Sequence, residues 1–389
     1  LYQLALYLGL IGPFLGGYLG IVGVVVFASL LPFFLISLAT RRTITNANDW
    51  LFFSFMLIFV GVGFYYLGDL IRFQNAEEKL LAVPQVLSYY FIFRIINLET
   101  KPVRIFIFSS MIICLIVMRS LDLGVFNDQG DGVALVESYR DSYANYQFFG
   151  MIYLFCSLSF IPSINKAYAR IFIYILSGWV LYLNGARSEF IVFAISAGLI
   201  EFYLSKSKII FFLMIMALIF VLMQSVQYIL SSEGAGRISS LFIEGSGDAS
   251  VVDRRYTIDM ALETIRRSPF FGDFSNHEPG FYAHNFLSAW ADFGIIGFAI
   301  FVSAIILCLR NAAKVFFNNH ITPQFVAMAA MAISGAFLFL FAKAYPHPIF
   351  GVMLALSAQY SQFCDRNGFS DARRRRRRYN FQAERRIAR

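Results

Sequence analysis

The sequence predicts an all-α, polytopic integral membrane protein with about twelve transmembrane helices. Hydrophobic residues make up 58% of the 389 residues and charged residues only 14%. A soluble domain has about 45–50% apolar residues and about 25% charged residues. The apolar residues also fall in blocks of about twenty, the length at which a helix spans a bilayer. No soluble domain of normal size remains between these blocks.

The apolar blocks place the spans in order along the chain. The expected spans lie near residues 1–15, 18–39, 50–68, 80–97, 103–119, 146–163, 170–185, 188–204, 209–230, 284–309, 324–343 and 348–363. The first two are separated because the uncharged stretch 1–40 would form a helix of roughly 60 Å, which is too long for one crossing. Pro13 and the pair Gly16-Gly17 supply a turn between them.

The loops between the spans sort into two sets by charge, which predicts their orientation. One set is basic and is expected in the cytoplasm by the positive-inside rule. Its cations are Arg41, Arg42, Lys101, Arg104, Lys166, Arg170, Lys206, Lys208, Arg310, Lys314 and the arginine run 373–378. The other set contains two long loops of mixed charge, 120–145 and 231–283, which are expected to face outward. Both termini are then cytoplasmic, and the lack of a visible internal repeat disfavours a transporter built from duplicated halves.

These features divide the chain into four parts. We expect an N-terminal transmembrane bundle over 1–230, a large periplasmic loop with an amphipathic helix over 231–283, C-terminal transmembrane helices over 284–364, and a basic cytoplasmic tail over 365–389. The net charge of +8 does not indicate nucleic acid, because much of it lies in that tail, which suits anionic lipid. The four cysteines follow no metal-ligand spacing, and we expect no cleaved signal peptide.

The first polar stretch, LNGARSEFIVF at 183–193, joins two spans with almost no loop. Gly185 allows a bend, and Glu189 then lies in the first turn of the next helix, where a carboxylate suits the positive end of the helix dipole. Arg187 has two interpretations. It either snorkels or pairs locally at the interface, or its planar guanidinium points into a cavity and binds phosphate oxygens.

The second stretch, DRRYTIDMALETIRRSPFFG at 253–272, predicts an amphipathic helix on the membrane surface. Its apolar face is formed by residues at helical spacing, namely Ile258, Leu262 and Ile265. Another face carries a ladder of alternating charges four residues apart, namely Arg255, Asp259, Glu263 and Arg267. Asp253 is expected to cap this helix and Ser268-Pro269 to end it. Arg254 lies about 100° from the ladder, so it is the better candidate for a ligand contact.

The third stretch, YAHNFLSAWADFGIIGF at 282–298, places polar groups at the start of an apolar run. If the helix begins near His284, that residue, Ser288 and Asp292 share one face, with Asn285 beside them. Asp292 would lie about 12 Å below the helix start, deep enough that it should face protein or water instead of lipid. The alternatives are a polar contact between helices with an interfacial histidine, or an imidazole that binds phosphate or moves protons.

Two further segments give weaker signals. KAYPHP at 343–348 places Lys343, Tyr345 and His347 in a short outer turn. These side chains either contact a sugar or a phosphate, or they only form a turn between prolines. Arg94, near the cytoplasmic end of its span, is expected to snorkel.

Together these motifs resemble the outer-loop region shared by bacterial O-antigen polymerases and O-antigen ligases. The residues that carry the resemblance are Arg254, Pro269, Gly272, His284, Asn285, Leu287, Gly294 and Gly297, preceded by the GARSEF element at 185–190. The last two glycines would also let a neighbouring helix approach closely. The likeness covers residues 183–298, and Ile258 departs from the aromatic residue often found there in the family.

The resemblance implies a GT-C-like glycosyltransferase of the bacterial inner membrane, multi-pass, with its active site facing the periplasm. It implies that Arg187 and Arg254 stabilise the departing undecaprenyl pyrophosphate. His284 would neutralise that leaving group or act on the acceptor hydroxyl, with Glu189 as the alternative general base. The expected substrate-binding residues are Arg255, Tyr256, Asn285, Asp292 and His347. We expect neither a cofactor nor a metal.

The most favoured function is that of an O-antigen polymerase, which transfers the growing glycan from undecaprenyl pyrophosphate onto an undecaprenyl-pyrophosphate-linked repeat unit. An O-antigen ligase, which transfers the glycan to lipid A core, shares the same motifs, whereas the high aromatic content and the modest outer loop favour the polymerase. A lipid-linked oligosaccharide flippase would instead predict charges along a path through the membrane. The expected partners are the undecaprenyl-pyrophosphate-linked oligosaccharide, membrane lipid, a chain-length regulator and a flippase, and no nucleic acid.

Overall fold

The computed structural model describes residues 45–69, 72–120, 146–183, 187–204, 249–277, 282–318 and 320–367, together with parts of 28–36. Within these ranges the secondary structure is helical and contains no strand, which confirms the all-α class. The helices are α1 (Ala47–Tyr66), α2 (Phe73–Ile95), α3 (Lys101–Ser120), α4 (Tyr146–Phe160), α5 (Ala167–Leu183), α6 (Arg187–Leu204), α7 (Ala249–Arg267), α8 (Leu287–Phe317), α9 (Pro323–Phe341) and α10 (Ile349–Arg366). A short 3-10 turn (Ile161–Ser163) follows α4.

Every one of these helices except α7 coincides with a predicted span. The predicted spans 1–15 and 209–230, the tail from 368 onward and most of the span 18–39 lie outside the described residues. Three of the described helices, α1, α8 and α9, are long and apolar enough to cross a membrane. Their composition indicates a membrane protein.

The centre of the bundle is α9. In its most apolar 18-residue window 78% of the residues are buried, against 39% in α1 and in α8. It packs against α4, α6, α8 and α10, and its many small residues let these helices approach. A second close contact joins α10 to α2, where a Cβ added to Gly351 would lie 2.5 Å from the carbonyl oxygen of Val86. This contact holds the start of α10 beside the second half of α2.

Helix α8 is bent at Gly294, whose φ of +65° and ψ of −168° lie outside the helical range. The amide of Ile295 donates to the carbonyl oxygen of Pro269 over 3.0 Å. A Cβ on Gly294 would lie 2.1 Å from the carbonyl oxygen of Phe270. The glycine therefore accommodates the turn that follows α7, and not a neighbouring helix as the sequence predicted.

The predicted amphipathic helix is present as α7, but with different bounds at its start. It begins at Ala249 and includes Asp253, so the predicted N-cap is wrong. It ends at Arg267, directly before Ser268-Pro269, which confirms the predicted stop.

The buried face of α7 also differs from the prediction. Its buried residues are Thr257, Ala261 and Ile265, whereas Leu262 is exposed. The small side chains of threonine and alanine let α7 lie close to the start of α8, where Ala291 and Leu287 pack against it. Of the charge ladder, Glu263 and Arg267 pair at 3.0 Å. Both side chains are mostly exposed, so this pair adds little stability.

The end of the bundle opposite the start of α2 is held by a buried polar network. Arg94 pairs with Asp49 at 2.9 Å and donates to Gln362 over 2.9 Å. The hydroxyl of Tyr90 donates to the same Asp49 carboxylate. The prediction that Arg94 snorkels is therefore wrong, because a carboxylate within the bundle binds its guanidinium.

Candidate functional site

A cavity opens at the end of the bundle where α2 and α8 begin. Another part of its wall is the turn 342–348 between α9 and α10. Charged and imidazole side chains in its lining include Lys79, His277, His284, Asp292, Lys343 and His347. The cavity thus collects titratable side chains from four separate stretches of the sequence.

An ion pair between Lys79 and Asp292 forms one side of the cavity. The distance from Nζ to Oδ2 is 2.6 Å, and the two side chains are 11% and 5% exposed. The other oxygen, Oδ1, accepts a hydrogen bond from the amide of Ser275 over 3.0 Å. Burial, together with the Asp292 carboxylate, raises the pKa of the Tyr345 phenol in the turn. Through its two carboxylate oxygens, Asp292 joins α2 and α8 to the loop after α7 and holds the Lys79 ammonium group at the cavity.

A second ion pair joins Lys343 of the turn to Glu189 in the first turn of α6. The Lys343 ammonium lies 2.8 Å from Oε1 of Glu189, whose side chain is fully buried. The hydroxyl of Ser188 donates to Oε2 over 2.7 Å. Because both carboxylate oxygens are engaged, Glu189 is placed to position Lys343, which lines the cavity.

His347 faces the cavity as a neutral imidazole. Its Nδ1 accepts a hydrogen bond from the amide of Ile349 over 3.3 Å, so the proton of the neutral ring is carried by Nε2. Burial and then the nearby Lys343 ammonium lower the pKa of His347 well below its usual value of 6.5. His347 is therefore suited to donate a hydrogen bond from Nε2.

This lowered pKa predicts a loss of stability in acid. The unfolded chain takes up a proton at His347 below about pH 6.5 while the folded chain does not, so stability is complete above that pH and falls as the pH decreases. The fall should approach about 1.4 kcal/mol per pH unit from this group. We expect the midpoint of thermal unfolding in detergent to drop further between pH 7.5 and 5.5 for the wild type than for His347→Gln. Equal drops in both proteins would contradict the prediction.

His284 lies in the bend just before α8, next to Tyr282. The two ring centroids are 4.5 Å apart, and both rings line the cavity. α8 begins at Leu287 and not at His284, yet Ser288 and Asp292 of α8 line the same cavity. The predicted grouping of these polar residues on one surface is therefore present in the structure.

The other sequence-predicted residues are placed differently. Asn285 is buried, and its Oδ1 accepts a hydrogen bond from the amide of Leu287 over 3.0 Å, so it stabilises the start of α8. Arg255 and Tyr256 are exposed on α7, and neither belongs to the cavity lining. Arg187 and Arg254 belong to α6 and α7, but their side chains lie outside the described part of the chain.

The sequence prediction missed the contribution of α2. Asn75, Glu78, Lys79 and Gln85 all line the cavity. The predicted span began at residue 80, which assigned the preceding polar residues to a loop. A signal was present, because these four residues are spaced so that they share one helical face.

A second, smaller cavity adjoins the first on the side of α7. The two share Lys79, His277, Tyr282, Ser288 and Asp292 in their linings. The second also contains Thr257 and Thr264 from the buried side of α7. The site therefore extends from the bundle to the amphipathic helix.

Among the residues that the structure describes, no three or more His, Cys, Asp or Glu side chains are arranged to hold a metal ion. The cavity instead offers ammonium, imidazole and phenol groups as hydrogen-bond donors, positioned by carboxylates. Such groups can bind an anion and transfer a proton. The chain matches no protein-family model and no curated protein sequence.

Proposed function

We propose that this chain is an O-antigen polymerase, a glycosyltransferase that transfers the growing glycan from undecaprenyl pyrophosphate onto an undecaprenyl-pyrophosphate-linked repeat unit at the periplasmic face of the inner membrane. One observation carries the proposal: positioned lysines and histidines meet in one cavity at the end of an apolar helical bundle. A substrate with an isoprenoid tail and a charged, sugar-bearing head needs such a site, because its tail stays in lipid while its head requires polar groups.

The motif residues support the same proposal by their position. His284 and Asp292 line the cavity, and Glu189 holds one of its lysines. Pro269 and Gly294, which belong to the polymerase-like motif, lie at the contact that joins the turn after α7 to α8. The motif is therefore built around the cavity and not spread over the bundle.

In the proposed reaction, the acceptor hydroxyl oxygen bonds to the anomeric carbon of the donor glycan. The bond between that carbon and the pyrophosphate oxygen breaks, and its electron pair leaves with undecaprenyl pyrophosphate. Cations that are already in place stabilise the leaving charge. We assign this task to Arg187 and Arg254 by the resemblance, with Lys79 and Lys343 as further cations at the cavity. The proton of the acceptor hydroxyl passes to the imidazole of His284.

The experiment that tests this function uses a strain deleted for the protein. Complementation with the wild type should restore a ladder of long O-antigen chains on a lipopolysaccharide gel. Complementation with His284→Ala should leave only a single repeat on the lipid A core, because general acid–base catalysis contributes about 10²–10⁴-fold in rate. The variant must be present in the membrane at wild-type amounts, as shown by immunoblot.

The matched control is His320→Ala, because His320 lies at the opposite end of the bundle, where its Nδ1 is 3.2 Å from the Tyr360 hydroxyl. This variant should keep the ladder. A full ladder from His284→Ala would remove that residue from the mechanism. Loss of all O-antigen from the core in the deletion strain, with long chains accumulating on the lipid carrier, would instead identify a ligase.

A further inference from the structure

Gln85 is a buried polar residue of the cavity that the mechanism does not use. It lies on α2 six residues after Lys79, about 9 Å further into the bundle at 1.5 Å per residue. Its side chain is 7% exposed, and it lines the cavity. The amide nitrogen Nε2 is enclosed and makes no hydrogen bond to any residue that the structure describes.

Some buried hydroxyl groups of the described residues also lack a partner, but the other two buried glutamines each make side-chain hydrogen bonds. Gln324 accepts from the amide of Leu98 over 2.6 Å and donates to Gln359 over 2.5 Å. Gln362 accepts from Arg94 over 2.9 Å. An enclosed amide without a partner destabilises a fold, and in native proteins such groups are few and often serve function. Gln85 is therefore best explained by a ligand group that reaches it.

The surroundings of Gln85 indicate the chemistry of that group. Ala82 precedes it by one helical turn, and Met151 and Pro348 contribute further apolar lining. The cations of the same lining, Lys79 and Lys343, are the better match for a pyrophosphate, whereas the neutral amide of Gln85 can both donate to and accept from an uncharged oxygen.

We propose that Gln85 hydrogen-bonds an uncharged oxygen of the saccharide, either a hydroxyl or an amide carbonyl, and so contributes to sugar specificity. This assignment rests on the proposed function, because it requires a sugar-bearing substrate in the cavity. Gln85 takes no part in bond making or breaking. Its Nε2 donates to the sugar oxygen, and its Oε1 is available to accept from a hydroxyl.

The test separates binding of the sugar from binding of the pyrophosphate. The full chain in nanodiscs is titrated calorimetrically with farnesyl pyrophosphate, with farnesyl-pyrophosphoryl glucose and with farnesyl-pyrophosphoryl N-acetylglucosamine. The wild type should bind at least one sugar-bearing probe about tenfold more tightly than farnesyl pyrophosphate, as expected for one buried hydrogen bond. A preference for N-acetylglucosamine identifies an amide carbonyl, and an equal preference for both sugars identifies a hydroxyl.

Gln85→Met should erase this tenfold preference and leave the affinity for farnesyl pyrophosphate unchanged. Its unfolding midpoint should not fall, because an apolar group of similar shape replaces an unpaired amide. The matched control is Tyr89→Phe, since the Tyr89 hydroxyl on the same helix is also buried without a partner among the described residues but is not part of the cavity lining. That variant should keep the preference.

Three outcomes are decisive. Loss of the sugar preference in Gln85→Met alone supports the assignment. Retention of the preference in Gln85→Met overturns the assignment of Gln85, while the proposed function stands. Failure of the wild type to bind any of the three probes overturns the proposed function itself. If Gln85→Met does not fold, Gln85→Asn takes its place, because it keeps the amide but withdraws it by one methylene, and the same outcomes apply.

Discussion

Lys343→Met is expected to abolish the proposed polymerase activity and to destabilise the chain by about 3–5 kcal/mol. Glu189 is fully buried, and Lys343 is its ion-pair partner at 2.8 Å. Removal of the ammonium leaves a carboxylate in an interior where an uncompensated charge is costly. The same substitution removes a cation from the cavity wall. Activity and stability should therefore both fall.

The double variant Glu189→Gln/Lys343→Met separates these two effects. Replacing both charges removes the unpaired carboxylate, so most of the lost stability should return. Activity should not return, because the cavity still lacks the lysine. If the double variant recovers activity together with stability, Lys343 has only a structural role.

The opposite end of the bundle supplies the matched control. Asp49 and Arg94 form an ion pair at 2.9 Å that is about as deeply buried as the first. Arg94→Met should destabilise the chain to a similar extent, and Asp49→Asn/Arg94→Met should restore both stability and activity. The measurements are the midpoint of thermal unfolding in detergent and the ladder on a lipopolysaccharide gel. Loss of activity in this second double variant would show that any disturbed ion pair inactivates the protein.

The helices could be predicted from sequence because each is set by a local pattern. Blocks of apolar residues located the described helices other than α7, and Ser268-Pro269 located the end of α7. His284 and Asp292 were found because a polar residue is expensive at the start of a membrane span. This energetic cost can be recognised within one stretch of sequence, and it identified three residues of the cavity lining, since Ser288 shares the predicted face.

The ion-pair partners could not be predicted, because they join residues far apart in the chain. Lys79 and Asp292 are 213 positions apart, and no local spacing relates them. Arg94 was expected to snorkel for the same reason, since its partner Asp49 lies on another helix. The local bond of Asn285 was not predicted either. Its side-chain oxygen accepts from the amide of Leu287, two residues on, a local use that asparagine often has.

Gly294→Ala is the second substitution expected to have a large effect. At a φ of +65° and a ψ of −168°, a backbone region that is essentially restricted to glycine, a residue with a Cβ is strained by roughly 1–3 kcal/mol. The added Cβ would also lie 2.1 Å from the carbonyl oxygen of Phe270, which no side-chain rotation can relieve because the obstacle is backbone. To make room for this Cβ, either the turn after α7 or α8 itself would have to move. Either movement would disrupt the hydrogen bond from the Ile295 amide to the Pro269 carbonyl oxygen.

The effect should reach the cavity, because Asp292 precedes Gly294 by two residues and holds Lys79. Gly272 lies in the same contact, since its own φ is +72° and a Cβ there would lie 2.5 Å from the Gly294 nitrogen. We expect Gly294→Ala to lower the unfolding midpoint strongly and to remove the O-antigen ladder.

Gly61→Ala on α1 is the control for Gly294→Ala, because a Cβ at Gly61 meets no atom within 4 Å. In a helix this substitution should leave stability unchanged or raise it by about 0.5–1 kcal/mol. If both alanine variants unfold at the wild-type temperature, the bend in α8 does not depend on the glycine. If only Gly294→Ala is unstable and inactive, the contact between the turn after α7 and α8 is what keeps Asp292 and Lys79 in the cavity wall.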